Sequence, residues 1–331
     1  MSFRTDVLLA VLLLAGTMRT SAQSAATWRD PSPHQSQLVT VDENVQLEVL
    51  DWGGSGRKIV LLAGGANTAH VFDDFAPKLV ADGHVYGITR RGYGASSTGS
   101  SGYAVDRLGE DVAKVLDALS ASSVVLVGHS IAGQELSFIA SRFPQRVDGV
   151  VYLDAAYFYA FQGPVPPTRS QTPLPPLPQP RPAGPDDLKD IAAYRAYSQH
   201  YRGYAPPESE IRQTRMIGAD GSVGPVRTPA SVEEAILAGR QRFSELKVLA
   251  LAIFASPHDI GPWAKDDPGQ QQAIEAFERL DEAQTEQQAK AFESGVATST
   301  VVRLRNANHY VYLSHEEAVL REIRNFIKTL R

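Results

Sequence analysis

The chain has no cysteine among its 331 residues, and this absence removes several kinds of site at once. Without thiols there are no disulfides, no cysteine nucleophile, no thiolate metal site and no lipid-modified cysteine anchor. A secreted location is compatible with the absence of cysteine, because a chain of this length can build a stable core without disulfides. Hydrophobic residues make up 43% of the sequence and charged residues 21%, so we expect a sizeable core.

An excess of positive charge is also lacking. The formal net charge is −5, whereas nucleic-acid binding favours basic patches. We therefore expect a small-molecule partner and no nucleic acid. No oligomeric state is predicted.

The N-terminus lacks an apolar run long enough to span a bilayer, which needs roughly 20 residues. Its apolar run, residues 7–16, follows Arg4 and precedes small residues at positions 20–26. This pattern is typical of a secretory signal peptide, and a plain apolar segment is the alternative. We predict a signal peptide over residues 1–26, a secreted or periplasmic location, and no stable membrane anchor.

Strand and helix patterns alternate from about residue 38, which predicts an α/β domain with a mostly parallel sheet. Two period-two segments, residues 38–41 and 45–49, predict an antiparallel hairpin at one edge of the sheet. Continuous apolar runs predict buried strands at 59–62, 85–88, 124–127, 150–153, 248–254 and 301–304. Helical patterns lie at 71–81, 106–119, 132–142, 268–292 and 315–330.

The alternation is interrupted between Leu153 and Val248. Residues 164–185 hold ten of the 21 prolines, a density that excludes helix and central strand. Helical spacing returns after this segment, with a second helical patch at 232–243. We predict a helical cap over residues 157–245, inserted between two core segments at 38–156 and 246–331.

Ser130 follows a predicted buried strand and precedes a predicted helix, in the sequence Gly-His-Ser-Ile-Ala-Gly. This is the pattern of a nucleophile elbow, a sharp turn that needs small residues such as Gly128 and Ala132 on both sides. A strand-to-helix connection that happens to contain serine is the alternative. His129 is too close to Ser130 in sequence to act on it, so we expect it to fill space behind the turn.

A serine hydroxyl needs a base, and His309 follows the last predicted strand, where functional groups of parallel sheets gather. Asp259, after the strand at 248–254, is the preferred acid, because serine, acid and histidine then lie on separate strand ends in that order. Asp154, after the preceding strand, is the alternative. Either aspartate could instead cap a turn or helix.

Attack on a carbonyl creates an oxyanion that needs N–H donors. We expect one donor from the backbone of Ile131, at the start of the helix after the nucleophile. The other should come from the glycine loop after the strand at 59–62, with Gly65 preferred and Ala66 next. A flexible turn is the alternative for this loop.

Together these features resemble the α/β-hydrolase superfamily over residues 38–331, apart from the proline-rich insert. The matching residues also include the run at 91–96, Arg-Gly-Tyr-Gly-Ala-Ser, which is similar to the family's glycine-rich loop. Two positions depart from the family: an arginine-rich segment, Thr89-Arg90-Arg91, replaces an expected aspartate, and Ala63 stands where many members have histidine. The resemblance implies a serine hydrolase with a helical cap and leaves the substrate open.

The cap is rich in tyrosine. Tyr157, Tyr197 and Tyr201 are predicted to line an apolar substrate pocket, although such rings could equally hold the cap on the core. The leading hypothesis is hydrolysis of a carboxylic ester through an acyl-enzyme, with no cofactor and no metal. The alternatives are an amidase or aminopeptidase-like hydrolase, which would need a cap acid for an amine, and a ligand-binding protein with low turnover. The acids available for an amine are Asp186, Asp187, Glu208 and Glu210.

Overall fold

An eight-stranded sheet forms the centre of the computed structural model, which describes residues 28–162 and 179–330. Ser32–Arg331 forms one compact unit, and the described residues of a separate N-terminal unit, 28–31, are irregular. The predicted signal peptide, residues 1–26, lies outside the described residues, so export stays a prediction. Within the described part of the chain, none of the helices is both long and apolar enough to cross a bilayer.

In the described chain four strands precede the first α-helix, and strands and helices then alternate up to the cap. The strands are β1 (Gln35–Asp42), β2 (Val45–Gly53), β3 (Lys58–Leu62), β4 (His84–Ile88), β5 (Val124–His129), β6 (Val147–Leu153), β7 (Arg215–Ile217), β8 (Val223–Val226), β9 (Leu249–Ala255) and β10 (Ser299–Leu304). The helices are α1 (Val105–Ala118), α2 (Gly133–Arg142), α3 (Pro185–Leu188), α4 (Ile191–Arg202), α5 (Glu208–Thr214), α6 (Ala230–Ala238), α7 (Gln271–Gly295), α8 (Val311–Ser314) and α9 (Glu316–Thr329).

The sheet has the order β1-β2-β4-β3-β5-β6-β9-β10. Strand β1 pairs with β2, and β2 with β4, in antiparallel fashion, while the other pairs are parallel. The predicted hairpin at one edge and the mostly parallel sheet are therefore confirmed. Parallel pairing brings the carboxyl ends of β3, β5, β6, β9 and β10 to one edge of the sheet, where the candidate site lies.

Two apolar layers cover the faces of this sheet, as expected for a parallel sheet whose strands are buried on both sides. Alternate residues of β5 point to opposite faces. Leu126 belongs to the layer that contains Leu136 of α2 and Phe292 of α7. Val127 belongs to the other layer, which contains Ile323 of α9.

Two helix predictions for the core differ from the structure. In place of a helix at 71–81 there are two 3-10 turns, Ala69–Phe72 and Ala76–Leu79. Pro77 lies in the second turn and has no N–H to continue an α-helix. The long helix α7 begins at Gln271 because Pro268–Gln270 is a 3-10 turn, although Asp267 caps that turn by accepting from the N–H of Gly269 at 2.8 Å.

The segment between β6 and β9 contains α3 to α6 and the antiparallel pair β7-β8, at the position predicted for the cap. Most of the proline-rich segment, residues 163–178, lies outside the described residues. Helix α6 ends at Ala238, several residues before the end of the helical patch predicted at 232–243. The cap has its own apolar cluster, composed of buried residues Ile191, Tyr194, Tyr197, Ile211 and Val223.

Glu210 of α5 joins the cap to the core. Its Oε1 accepts from Asn67 Nδ2 at 2.9 Å and from the N–H of Thr68 at 3.1 Å, and the Thr68 hydroxyl donates to Oε2. Both partners lie in the loop that follows β3. Burial of the carboxyl raises the pKa of Glu210 to about 7, although the hydrogen bonds from Thr68 and Asn67 oppose this shift.

The cap contact of Glu210 should make folding stability depend on pH. Because its pKa is higher in the folded than in the unfolded state, the folded state binds the extra proton, and stability falls as the pH rises from about 4.5 to about 7. Glu210→Gln should remove this loss, which is on the order of 3 kcal/mol. Urea unfolding of both proteins at pH 5 and pH 8 measures it.

Glu208→Gln is the matched control, since Glu208 lies on the same helix but pairs with Arg212 at 2.6 Å. The control should keep the pH dependence of the wild type. A difference between wild type and Glu210→Gln that is the same at both pH values would contradict the prediction.

Candidate active site

The turn around Ser130 has the predicted strand, turn, helix geometry. Strand β5 ends at His129, a 3-10 turn covers Ser130–Ala132, and α2 begins at Gly133. Ser130 has φ +52, a left-handed conformation that is uncommon for residues other than glycine and often marks functional sites. A Cβ on Gly128 would lie 2.9 Å from the Leu136 side chain, whereas one on Gly133 would lie 2.1 Å from the carbonyl oxygen of Ala155. The close contact with the backbone is therefore at Gly133, whereas a Cβ on Gly128 would meet side chains.

His309 contacts Asp154, the alternative acid of the sequence analysis. Its Nδ1 lies 2.6 Å from Asp154 Oδ2. Asp154 directly follows β6, is fully buried and has φ +46. Its second oxygen, Oδ1, accepts from the Tyr157 hydroxyl at 2.6 Å and from the N–H of Ala255 at 3.0 Å.

The preference for Asp259 as the partner of His309 is wrong. The Asp259 carboxylate accepts from the N–H of Gly261 at 2.9 Å, and its own N–H donates to the carbonyl of Ala307 at 2.8 Å. Asp259 therefore holds its own loop, as a turn-capping aspartate does. Both aspartates follow neighbouring strands, so chain order alone could not tell which side chain turns toward the imidazole.

A second histidine, His258, also binds Asp154 and was missed by the sequence analysis. Its Nε2 lies 2.8 Å from Asp154 Oδ2, and its Nδ1 lies 2.8 Å from Asp281 Oδ2 of α7. Burial alone would lower the pKa of His258, but the hydrogen bonds to Asp154 and Asp281 outweigh it and raise the pKa to about 10. The only sequence signal was its position in the loop after β9, beside Asp259.

Burial alone would also raise the pKa of Asp154. The hydrogen bonds from His258 and His309, together with the positive charge of His258, outweigh burial and hold the pKa of this carboxyl well below its usual range. Asp154 is therefore a buried carboxylate at neutral pH, which can orient an imidazole and stabilise its protonated form.

The two predicted sources of oxyanion donors, the glycine loop and the start of the helix after Ser130, lie next to each other. A Cβ on Gly64 would lie 3.1 Å from Ser130 Cβ, and one on Gly65 would lie 3.7 Å from Ile131 Cγ2. The glycine loop thus runs directly beside the turn that carries Ser130. Only small residues allow this approach.

Arg90, from the segment that departs from the family pattern, holds this glycine loop. Its guanidinium donates to the carbonyls of Ala63 at 2.9 Å and Gly64 at 3.2 Å, and it pairs with Glu135 of α2 at 2.6 Å. In a trans peptide the C=O and N–H point in opposite directions. Because Arg90 binds the Gly64 carbonyl, the N–H of Gly65 points away from Arg90.

His129 does more than fill space behind the turn. It is buried, and its Nε2 donates to the carbonyl oxygen of His309 at 3.1 Å. Burial, followed by the neighbouring His309, lowers the pKa of His129 to about 3, so its ring is neutral. His129 therefore links the turn of Ser130 to the loop of His309 without adding charge.

The predicted pocket tyrosines separate into two groups. Tyr157 lies at the site, where its hydroxyl donates to Asp154, and the Tyr159 ring lies 6.2 Å from the Tyr157 ring. Tyr197 and Tyr201 instead pack in the cap's own apolar cluster, which corrects their prediction as pocket residues. The Arg181 guanidinium lies over both rings, and its Nε donates to the Tyr201 hydroxyl at 2.9 Å, so these tyrosines stabilise the cap.

Two clusters in the described residues have side chains of the kind that bind metals. One contains Asp154, His258 and His309, and the other contains His34, His70 and Asp73. In each cluster one histidine, His258 or His70, has both ring nitrogens against carboxylates. Burial alone would lower the pKa of His70, but its hydrogen bonds to Asp73 and Glu48 raise that pKa to about 10, as those of His258 do. A ring that donates from both nitrogens has no lone pair for a metal, so both clusters are satisfied by hydrogen bonds.

Comparison with known proteins identifies the architecture. The family model of the alpha/beta hydrolase fold matches residues 58–182. Among solved structures, E-2-(acetamidomethylene)succinate hydrolase superposes with a TM-score of 0.62 at 19% identity, over 89% of this chain and 99% of that chain. The chain therefore has the alpha/beta hydrolase fold.

Curated relatives match a shorter part of this chain. The serine hydrolase-like protein of Danio rerio is 33% identical over 110 residues, which are 32% of this chain and 34% of that protein. The bifunctional esterase/perhydrolase of Acinetobacter calcoaceticus is 29% identical over 110 residues, which are 32% of this chain and 39% of that protein. The chain therefore spans little more than a third of the length of these relatives.

The contact at Gly133 predicts a stability effect. In Gly133→Ala the new Cβ would meet the Ala155 carbonyl oxygen at 2.1 Å, so α2 or the strand end must shift. We expect a loss of about 1–3 kcal/mol in the free energy of unfolding, despite the better helix propensity of alanine. Gly65→Ala, whose Cβ would meet nothing closer than 3.7 Å, is the control and should change stability far less. Equal stability of the two variants in urea unfolding would refute this account.

Proposed function

We propose that this protein is a serine hydrolase that cleaves carboxylic esters through an acyl-enzyme intermediate. The observation that carries the proposal is the 2.6 Å contact between His309 Nδ1 and the buried carboxylate of Asp154, at the sheet edge that also carries Ser130. In this proposal Ser130 is the nucleophile, His309 the base and Asp154 the orienting acid. The solved carboxylesterase of Bacillus subtilis, with a TM-score of 0.53 at 16% identity, shares the fold that supports such chemistry.

In the proposed acylation step, Ser130 Oγ attacks the ester carbonyl carbon while His309 Nε2 takes its proton. Asp154 holds the Nδ1–H of His309 and stabilises the imidazolium. The N–H groups of Ile131 and Gly65 would bind the oxyanion. When the tetrahedral intermediate collapses, the C–O bond breaks and the alcohol leaves with the proton from His309.

Deacylation repeats these steps with water. His309 takes a proton from the water as its oxygen attacks the acyl carbon, and the Ile131 and Gly65 donors again bind the oxyanion. Collapse of the second intermediate returns the proton to Ser130 and releases the carboxylic acid.

The amidase or aminopeptidase-like alternative needs a cap acid to hold an amine. Three of the four candidates are already engaged: Asp187 by Arg181 at 2.5 Å, Glu208 by Arg212 at 2.6 Å, and Glu210 by Asn67 and Thr68. Their engagement supports the ester proposal over the amine-binding alternative. A ligand-binding protein with low turnover remains the alternative from another class, and covalent labelling distinguishes it.

The proposal predicts that Ser130 is the group labelled by a fluorophosphonate probe. Ser130→Ala should abolish labelling and lower ester turnover by about 10⁴-fold or more, and His309→Ala should have a similar effect, because nucleophile and base act as one unit. Labelling is followed by intact mass and turnover with a chromogenic acetate ester, while circular dichroism confirms the fold. Full activity in folded Ser130→Ala would exclude the proposal.

The acid gives a separate prediction. Asp154→Asn should lower turnover by roughly 10³ to 10⁴-fold, because the amide disturbs the tautomer and charge that Asp154 imposes on His309. Asp259→Asn, the matched control on the neighbouring strand end, should cost far less, since Asp259 binds its own loop. Measuring kcat of both variants on the same ester tests this ranking. A larger loss in Asp259→Asn than in Asp154→Asn would identify Asp259 as the acid.

A further inference from the structure

We propose that His258 is a charged positioning residue, which shares the carboxylate of Asp154 with His309 and extends the working range of the enzyme to lower pH. This inference rests on the proposed function, because it concerns the same site. It adds a second histidine and a second acid, Asp281, to the three residues of the catalytic group.

The charge on His258 follows from geometry. Its Nε2 lies 2.8 Å from Asp154 Oδ2, and its Nδ1 lies 2.8 Å and 3.0 Å from the two oxygens of Asp281. Ionised carboxylates only accept hydrogen bonds, so both ring nitrogens of His258 must donate. The ring is then an imidazolium, in agreement with its raised pKa.

Sharing of one oxygen couples the two histidines. Asp154 Oδ2 accepts from His258 and from His309, while Oδ1 accepts from Tyr157 and from the Ala255 N–H. All the acceptor positions of the buried carboxylate are thus occupied. Each histidine holds the oxygen in place for the other.

The charge of His258 also acts on His309, whose ring centroid lies 6.1 Å away. A positive charge at this distance opposes the gain of a second positive charge on His309. Asp281 binds the Nδ1 side of His258, away from His309, so its negative charge offsets this repulsion only in part. The other groups facing His309 are Asp154, His129, which is neutral, and the Tyr310 ring at 5.7 Å.

His258→Gln tests the proposal, because glutamine keeps an N–H donor for Asp154 without the charge. The measurement is the pH dependence of kcat/KM for an acetate ester, in wild type and variant. We expect the acidic limb of the variant to move upward by roughly one pH unit. His84→Gln is the control: His84 pairs with one carboxylate, Asp51, at 2.8 Å on β2, and its removal should leave the limb in place.

An acidic limb that stays in place in folded His258→Gln, with only a uniform loss of rate, would assign His258 a structural role and overturn the proposal. A limb that moves equally in His84→Gln would overturn it too, since the effect would then be unspecific.

A direct measurement of the protonation of His258 distinguishes failure of this inference from failure of the proposed function. Nitrogen-15 NMR of the histidine side chains in wild type, assigned with His258→Gln, should show both His258 ring nitrogens protonated at pH 8. A neutral His258 at that pH overturns the inference even if the enzyme hydrolyses esters. A protonated His258 in a protein that neither hydrolyses esters nor reacts with the fluorophosphonate supports the shared carboxylate and removes the proposed function.

Discussion

The buried carboxylate of Asp154 is the constraint on which the rest of the site depends. A fully buried charge is tolerated only when it is hydrogen-bonded and compensated. Its four donors come from four places: the first residues after β6, the end of β9, the following loop, and the loop after β10. Losing one donor would leave the charge undercompensated, so the carboxylate fixes the mutual positions of three strand ends. The loop of His309 is held at the turn of Ser130 by a second contact, from His129 Nε2 to the His309 carbonyl at 3.1 Å.

The sequence predicted those parts of the molecule that local patterns determine. Every apolar run interpreted as a buried strand lies in the sheet, because burial on both faces demands such runs, but the last, β10, is an edge strand in which only Leu304 is buried. The turn at Ser130 was recognisable because its small residues are neighbours in sequence. The choice between Asp154 and Asp259 failed for a different reason: both follow strands that end at the same edge, and the local backbone decides which carboxylate turns inward. Asp154 adopts φ +46, whereas Asp259 closes its own turn.

Contacts between distant charged residues could not be predicted. His258 and Asp281 are 23 residues apart, Arg90 and Glu135 are 45 apart, and Glu210 binds a residue 143 positions away. Except for His258, each of these residues is a type that usually lies in solvent, and no periodic pattern marks any of them as buried. The arginine that departs from the family pattern is an example, since its effect on the Gly64 carbonyl requires the loop after β3 to lie beside it.

The connection between cap and core bears on how substrate preference could arise. Asn67 donates to Glu210 of the cap and accepts from the Tyr310 hydroxyl at 2.9 Å, next to His309 in sequence. The Tyr204 ring stacks on Tyr310 with centroids 3.8 Å apart. The cap therefore contacts both the glycine loop and the loop of His309. A substitution in the cap that displaces Glu210 or Tyr204 would act on the catalytic loops as well as on the pocket. A change in ester preference therefore identifies a pocket residue only in a variant that keeps the Glu210–Asn67 and Tyr204–Tyr310 contacts.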